Sequence, residues 1–336
     1  AAEKGLRKLL EFPCVTKPWV AREGLPDRVF EALRDALLTL RDPAVLEHIV
    51  RDGLLPARDA DYDQIRRAMA QAGGFDPMSL SFGVYAAVKP SDAFNQVRPA
   101  IDMLARELTA AGSLSSLRIR VLRDYRQTID ALGRGDVDFA RLGPASYVAA
   151  RDRYPEIQLL ARERSAGPAP AGVFVVPADS ELDSIQQLAG RRLAFGSPDS
   201  TEGRYLAQAE LLRAGIRAED LDGFSYLGRH DRVAHAVARG NYDAGVLRES
   251  VLEDYAGAQP LRVIGRFESA QTLWVARPGL DPQQVADLRQ GLLDIPHGPA
   301  LAPLGIDGFD PAEKDDPGCA RLRRQMQLAR QFDPEP

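Results

Sequence analysis

The sequence predicts an α/β chain of two lobes that face each other across a cleft. Three observations predict it. Residues 79–143 alternate strand and helix patterns, residues 171–247 resume the same alternation, and a late apolar segment, TLWVAR (272–277), carries the chain back toward its first half. Alternation of this kind builds parallel or mixed sheets joined by crossover helices. Open sheets of this type bind ligands at the carboxyl ends of their strands. Two facing lobes place those ends on opposite walls of a cleft that closes about a hinge, here near 170–180.

The elements follow in order. SLSFGVYAAV (79–88) alternates apolar residues and reads as a strand. FNQVRPAIDMLARELTAAG (94–112) has helical spacing and stops on Gly112. LRIRVL (117–122) has period two, DYRQTIDALGRG (124–135) is a helix, and VDFARLG (137–143) is a short buried strand. AGVFVVPA (171–178) opens the second lobe. RRLAFG, a helix over 202–214, the strand FSYLG, the helix HDRVAHAVARG and the strand YDAGVL continue it. The first lobe is expected to hold about 78–170 plus 270–334, and the second about 171–269.

Composition narrows the function classes. The 336 residues carry a net charge of −5, with 45% hydrophobic and 27% charged residues, as in a soluble globular protein. A nucleic-acid partner is disfavoured, because phosphate backbones demand a basic face. No apolar run approaches the roughly 18–20 residues of a membrane span. His230 and His235 lie five apart and share a helix face poorly, so no metal site is expected. Cys14 and Cys319 are too few for a disulfide framework and are expected to be separate thiols. The chain starts at Ala1 without a signal-peptide pattern and is expected to be a trimmed piece.

The chain also repeats itself. LRKLLEFPCVTKPWVAREGL (6–25) and LRVIGRFESAQTLWVARPGL (261–280) share nine of twenty positions without a gap. The helical patterns that follow, DRVFEALRDALLTL (27–40) and PQQVADLRQGLLDI (282–295), align as well. QIRRAM and RLRRQM, each followed by FDP, extend the parallel. Convergent amphipathic helices explain shared Leu and Ala spacing but not a shared WVAR followed by Gly-Leu. Residues 78–336 are therefore expected to form one complete unit. Residues 1–77 read as the C-terminal portion of a preceding, truncated one. Such a short segment is marginal alone. It is expected to dock on the complete unit or to pair between chains as a homodimer.

VLRDYRQTIDALGRGDVDFARLGPASYV (121–148), RRLAFGSPDSTEGRYL (191–206) and YLGRHDRVAHAVARGNYDAGVLRESVLE (226–253) together resemble the phosphate/phosphite/phosphonate (PhnD-like) periplasmic substrate-binding proteins. The resemblance covers about 78–310, and 6–77 as a second tail copy. It implies a two-lobed, type II-like periplasmic-binding-protein fold, no enzymatic activity and no cofactor. The implied partners are a small anionic ligand and either an ABC permease or a membrane sensor kinase or cyclase. Tandem copies suit the sensor better.

The resemblance also implies a site. The family grips its anion with a Ser-Thr-Ser-Gly loop at a helix N-terminus, where free N–H groups and the helix dipole favour negative charge. Here the loop reads Ser200-Thr201-Glu202-Gly203, with Glu202 in place of a serine. Tyr125, Ser146, Tyr147, His230 and Asp243 match positions that line the family's ligand. Pro170 and Gly172 stand where the family carries a tyrosine and a serine. Arg141, Arg229 and Arg248 fall near strand ends. They either supply bidentate anion contacts or neutralise acids such as Glu202, Asp231 and Glu249.

Glu202 raises the sharpest question. An acid in the first turn of a helix stabilises it by roughly 0.3–1 kcal/mol. Turned inward, its carboxylate about 4 Å from a phosphonate costs about 4 kcal/mol at an effective dielectric near 20, close to three decades of affinity. Three functions compete: an oxyanion-binding module, a degenerate module kept for signalling or partner contact, and a hydrolase built on Ser200, His230 and Asp231. The hydrolase lacks a G-x-S-x-G elbow, and anion binding or helix capping already explains its serine.

Overall fold

The computed structural model describes residues 26–43, 78–253, 255, 260–312 and 317–333. The chain divides into two compact units, residues 1–76 and 77–336. In the first, the helix α1 (Asp27–Leu38) forms where the sequence predicts it. The strand expected over WVAREGL, the helix at 44–53 and the repeat segment QIRRAM to FDP lie outside the described residues, as does Cys14.

The second unit holds two mixed sheets. The first sheet has six strands: β1 (Ser79–Tyr85), β2 (Ser116–Leu122), β3 (Phe139–Leu142), β4 (Gln158–Ser165), β10 (Leu273–Ala276) and β11 (Ile306–Pro311), in the order β11-β4-β10-β3-β1-β2. The second has five: β5 (Ala171–Pro177), β6 (Leu193–Phe195), β7 (Phe224–Tyr226), β8 (Ala244–Arg248) and β9 (Leu261–Glu268), in the order β7-β6-β8-β5-β9. The local βαβ units are parallel, as in β1 with β2 and β3. The sequence pattern for β1–β3 predicts a parallel sheet, and the whole sheet is mixed. The reason is non-local: β10 re-enters from the second lobe and pairs antiparallel with both β3 and β4.

TLWVAR does return to the first sheet, and its Trp274 is fully buried there, stacked on Phe82 and edge-on to Phe309. This cluster is the centre of the first lobe's core. Helix α2 (Pro90–Ala110) covers that sheet with Val97, Ala100, Ile101, Leu104 and Leu108, the apolar stripe of its 3.6-residue period. The helices that follow are α3 (Tyr125–Arg134), α4 (Pro144–Arg153), α5 (Ala207–Arg213), α6 (His230–Ala238), α7 (Glu249–Glu253), α8 (Pro282–Leu293) and α9 (Pro317–Ala329). Of these, α8 adds Val285, Leu288 and Leu292 to the first core.

The second core gathers around Phe174, Phe195 and Phe267. Two elements join it from elsewhere. Helix α4, which follows β3, contributes Ala145 and Val148. The final helix, α9, contributes Leu322, and Phe332 just beyond it packs against Phe195 and Phe224. The expected assignment of 270–334 to the first lobe is therefore corrected for its last stretch. The apolar face of α9 belongs to the second lobe's core.

Candidate anion seat between the lobes

The loop 197–200 leaves β6 at the carboxyl end of the second sheet and enters a helix whose first turn is wide. Thr201–Leu206 is π-helical before the regular helix α5 begins. The Tyr205 N–H reaches back five residues to the Ser200 carbonyl at 3.2 Å. Single π-turns of this kind are frequent at functional sites. Ser200 caps the turn, its Oγ accepting from the Gly203 N–H at 3.0 Å. Gly203 is needed for close approach: a Cβ there would lie 3.0 Å from both Gly196 Cα and His230 Cε1.

Glu202 points inward. It is 1% exposed. Arg248, at the carboxyl end of β8, directs Nη2 at both carboxylate oxygens, 3.2 and 3.3 Å away. Ser269 donates its hydroxyl to Glu202 at 2.8 Å. Burial by itself pushes the carboxyl up, but Arg248 and the Ser269 hydrogen bond hold it below the usual carboxylate range. Arg248 is correspondingly raised by Glu202. Its Nε is buried and has no hydrogen-bond partner among the described residues.

The other two arginines are also engaged by acids. Arg141 makes a two-point contact with Glu163 at 2.5 and 2.8 Å, and Glu163 accepts a third bond from Trp274 Nε1 at 2.9 Å. Arg229 forks onto Asp231, both contacts at 3.0 Å. All three arginines thus follow the acid-neutralising reading.

His230 opens helix α6 and is 2% exposed. Its Nδ1 lies 3.3 Å from the Arg248 backbone N–H, which can only donate. Nδ1 therefore accepts, and the imidazole proton sits on Nε2, 3.4 Å from Ser200 Oγ. Burial lowers the imidazole pKa to about 4, with Arg248 adding to the effect against the pull of Glu202. This arrangement does not assemble a hydrolase. A protonated Nε2 cannot take the Ser200 proton, and the Asp231 carboxylate that would orient the ring is bound by Arg229.

Tyr125, at the start of helix α3, stacks on Tyr85 with ring centroids 3.9 Å apart and hydrogen-bonds Ser200. Burial raises both phenols. Tyr85 Oη accepts from the Gly143 N–H at 2.8 Å. Ser146 and Tyr147 are buried in α4, and Ser146 Oγ has no partner among the described residues. Thr201 closes the seat by accepting the Ala145 N–H at 3.0 Å across the lobes. A second cross-lobe bond joins the His230 N–H to the Ala87 carbonyl at 3.1 Å. Outside these closures, a cavity of about 860 Å³ opens between the lobes, lined by Tyr125, Arg126, Asp199, Arg229 and Arg232 among others.

Asp243 is not brought to the seat. It precedes β8 and binds Arg192 through the backbone N–H at 2.7 Å and the guanidinium at 3.4 Å. Only the other end of β8, at Arg248, reaches the cleft. At Gly172 a Cβ would clash with Phe267 Cζ and Cε2 and lie 3.1 Å from Glu202 Cβ, so the phenylalanine takes the space of any side chain there. Sequence reasoning missed Tyr85, Glu163, Phe267 and Ser269. Their signals are weak: Tyr85 and Glu163 fall toward the ends of strand runs, Phe267 is one of the nine positions shared by the repeat, and Ser269 directly follows β9.

Comparison with known proteins bears on the whole unit. Residues 82–316 match the family model described as ABC transporter, phosphonate, periplasmic substrate-binding protein. A probable ABC transporter phosphite binding protein, PhnD1 of Prochlorococcus marinus (strain MIT 9301), is 28% identical over 193 residues, 55% of this chain and 63% of that one. The chain therefore spans less than two thirds of that relative's length. The phosphate-import protein PhnD of Mycolicibacterium smegmatis is 24% identical over 236 residues, covering 65% of this chain and 72% of its own. The fold matches the PhnD1 structure from Prochlorococcus marinus in complex with methylphosphonate, with a TM-score of 0.67 at 21% identity, over 75% of this chain and all of that one. With a family match over most of its length and a two-lobed cleft built as that fold requires, the chain belongs to the phosphonate-type periplasmic substrate-binding proteins of ABC transporters.

Proposed function

We propose that residues 78–336 form an extracytoplasmic solute-binding module for a small oxyanion of the phosphate or phosphonate type, seated at the head of the 201–213 helix. One observation carries this reading: the seat already holds an oxyanion, the Glu202 carboxylate, gripped by Arg248 and Ser269 between closed lobes. Relatives named as binding phosphite and importing phosphate support the ligand class. The ligand-contacting set is Ser200, Thr201, Gly203, Tyr125, Ser146, Tyr147, His230 and Arg248. In this role the module would hand its ligand to an ABC permease. The tail repeat supports reading residues 1–77 as a second copy of 261–334 and favours a sensor ectodomain.

A second reading is a module that has given up its ligand. Its support is that Ser200, Thr201 and all three arginines already have internal partners. A thermal-shift titration of the full chain separates the two. The panel is phosphate, phosphite, methylphosphonate, 2-aminoethylphosphonate, sulfonates and dicarboxylates, each repeated on Ser200→Ala. A ligand at 100 times its Kd adds about 2.7 kcal/mol. Stabilisation by a phosphorus oxyanion that Ser200→Ala abolishes supports the binding module. No response to any anion refutes it and leaves the ligandless reading.

A further inference from the structure

We infer that Glu202 is a tethered stand-in for the ligand: its carboxylate occupies the seat in the absence of solute, and an incoming oxyanion binds by taking Arg248 from it. This rests on the oxyanion-binding reading and adds a specificity-determining residue to that site.

The geometry makes Glu202 an imperfect occupant. Both carboxylate oxygens crowd onto one nitrogen, Nη2 of Arg248, at 3.2 and 3.3 Å. The Nε of the same guanidinium is left buried, with no partner among the described residues. A guanidinium prefers to present two parallel N–H groups to an oxyanion, one to each oxygen. Glu202 is fixed to the π-turn by its own backbone and does not reach that position. A free phosphate or phosphonate has no such tether and three equivalent oxygens to place. Ser146 Oγ, 1% exposed and likewise unpartnered among the described residues, is a second buried polar group left unused when Glu202 fills the seat.

The seat's charge balance points the same way. Arg248 and Glu202 cancel, and Arg141 is taken by Glu163. His230 is held neutral by its hydrogen-bonding pattern, as its Nδ1 accepts from a backbone N–H. Among these inner groups, an oxyanion entering beside the resident carboxylate meets no uncompensated positive charge. Removing the carboxylate's charge leaves the buried Arg248 cation as the strongest anion attractor in the cleft. The lobes are tied next to this pair by the Thr201 bond to the Ala145 N–H and by the His230 N–H on the Ala87 carbonyl. Those two amides report whether the seat is closed.

The test uses the full chain and Glu202→Gln, which keeps the side chain's size and removes its charge, with Glu202→Ala as a second variant. Calorimetric titration with inorganic phosphate and methylphosphonate reads affinity. Hydrogen exchange at the Ala145 and His230 amides reads closure. Glu202→Gln is expected to bind tighter than wild type by about 10²–10³-fold, the loss of one like charge near 4 Å. Arg248→Met in the same background is expected to abolish the gain. Phosphate should slow exchange at the two amides at lower concentration in Glu202→Gln than in wild type. Equal affinity in wild type and Glu202→Gln overturns the inference and leaves the binding module standing. Absence of phosphate or methylphosphonate binding in wild type and both variants overturns the oxyanion reading itself.

Discussion

Lowering the pH from 7 to 5 is expected to destabilise this protein through one histidine. His230 is buried with its Nδ1 facing the Arg248 N–H, so protonation puts two donors head to head in a dry site. Its pKa falls from an ordinary 6.5 to about 4. The sign follows from linkage. The folded state binds this proton less tightly than the unfolded state, so the group's contribution is intact above pH 6.5 and is lost as pH falls from there toward 4. Each pH unit inside that window is worth about 1.4 kcal/mol, and the interval from pH 7 to pH 5 removes about 2 kcal/mol. The assay is urea unfolding at both pH values, followed by Trp274 fluorescence in a Trp19→Phe background. His230→Gln is the comparison, because an amide keeps hydrogen-bonding capacity and does not titrate. Carboxylates titrate in both proteins, so the difference between the two pH slopes isolates His230. Wild type should lose about 2 kcal/mol more than His230→Gln over this interval. Equal losses refute the assignment of a neutral, Nδ1-accepting imidazole.

Other perturbations test other parts of the structure. Arg141→Met strands the Glu163 carboxylate, 4% exposed, and should cost about 3–5 kcal/mol by thermal or chemical unfolding, whereas Arg141→Leu with Glu163→Leu should cost less than the single change. A single-variant loss below about 1 kcal/mol contradicts a buried pair. Gly172→Ser restores a hydroxyl but drives its Cβ into the Phe267 ring, so it should destabilise by about 1–3 kcal/mol and add no anion affinity. A neutral result means Phe267 yields. Arg126→Ala removes an exposed cross-lobe contact to Asp199 and should change stability by less than about 1 kcal/mol, an effect that salt erases.

The lobes were legible from two kinds of strand: a continuous apolar run such as β5, where every residue but the last is buried, and a period-two alternation such as β2. Strand β4 was not. Its ARERS half reads as a solvent-facing run, yet Glu163 within it is buried because β10 and β11 flank it from distant parts of the sequence. Helix α4 was missed for a related reason. It is wedged between lobes and buried on several sides, so no polar stripe marks its period. Strand polarity decided Asp243. The motif resemblance marked it as a ligand contact, but β8 runs from Asp243 toward Arg248, and only its far end opens on the cleft. The inward turn of Glu202 was undetermined for a clear reason: its partners, Arg248 and Ser269, are 46 and 67 residues away and reach it only after the sheet is assembled.

The placement of β10 has a consequence for how this chain is made. It lies inside the first sheet, between β4 and β3, yet it follows the whole second lobe in sequence. As the chain emerges from the ribosome, β3 and β4 appear early and must wait for it with open edges on either side of a gap. Unpaired edges invite pairing with other chains, and long-range strand insertion is slow. The first lobe is therefore expected to remain unfinished until nearly the entire unit has been synthesised. That delay leaves the nascent chain vulnerable to aggregation for as long as β10 is missing.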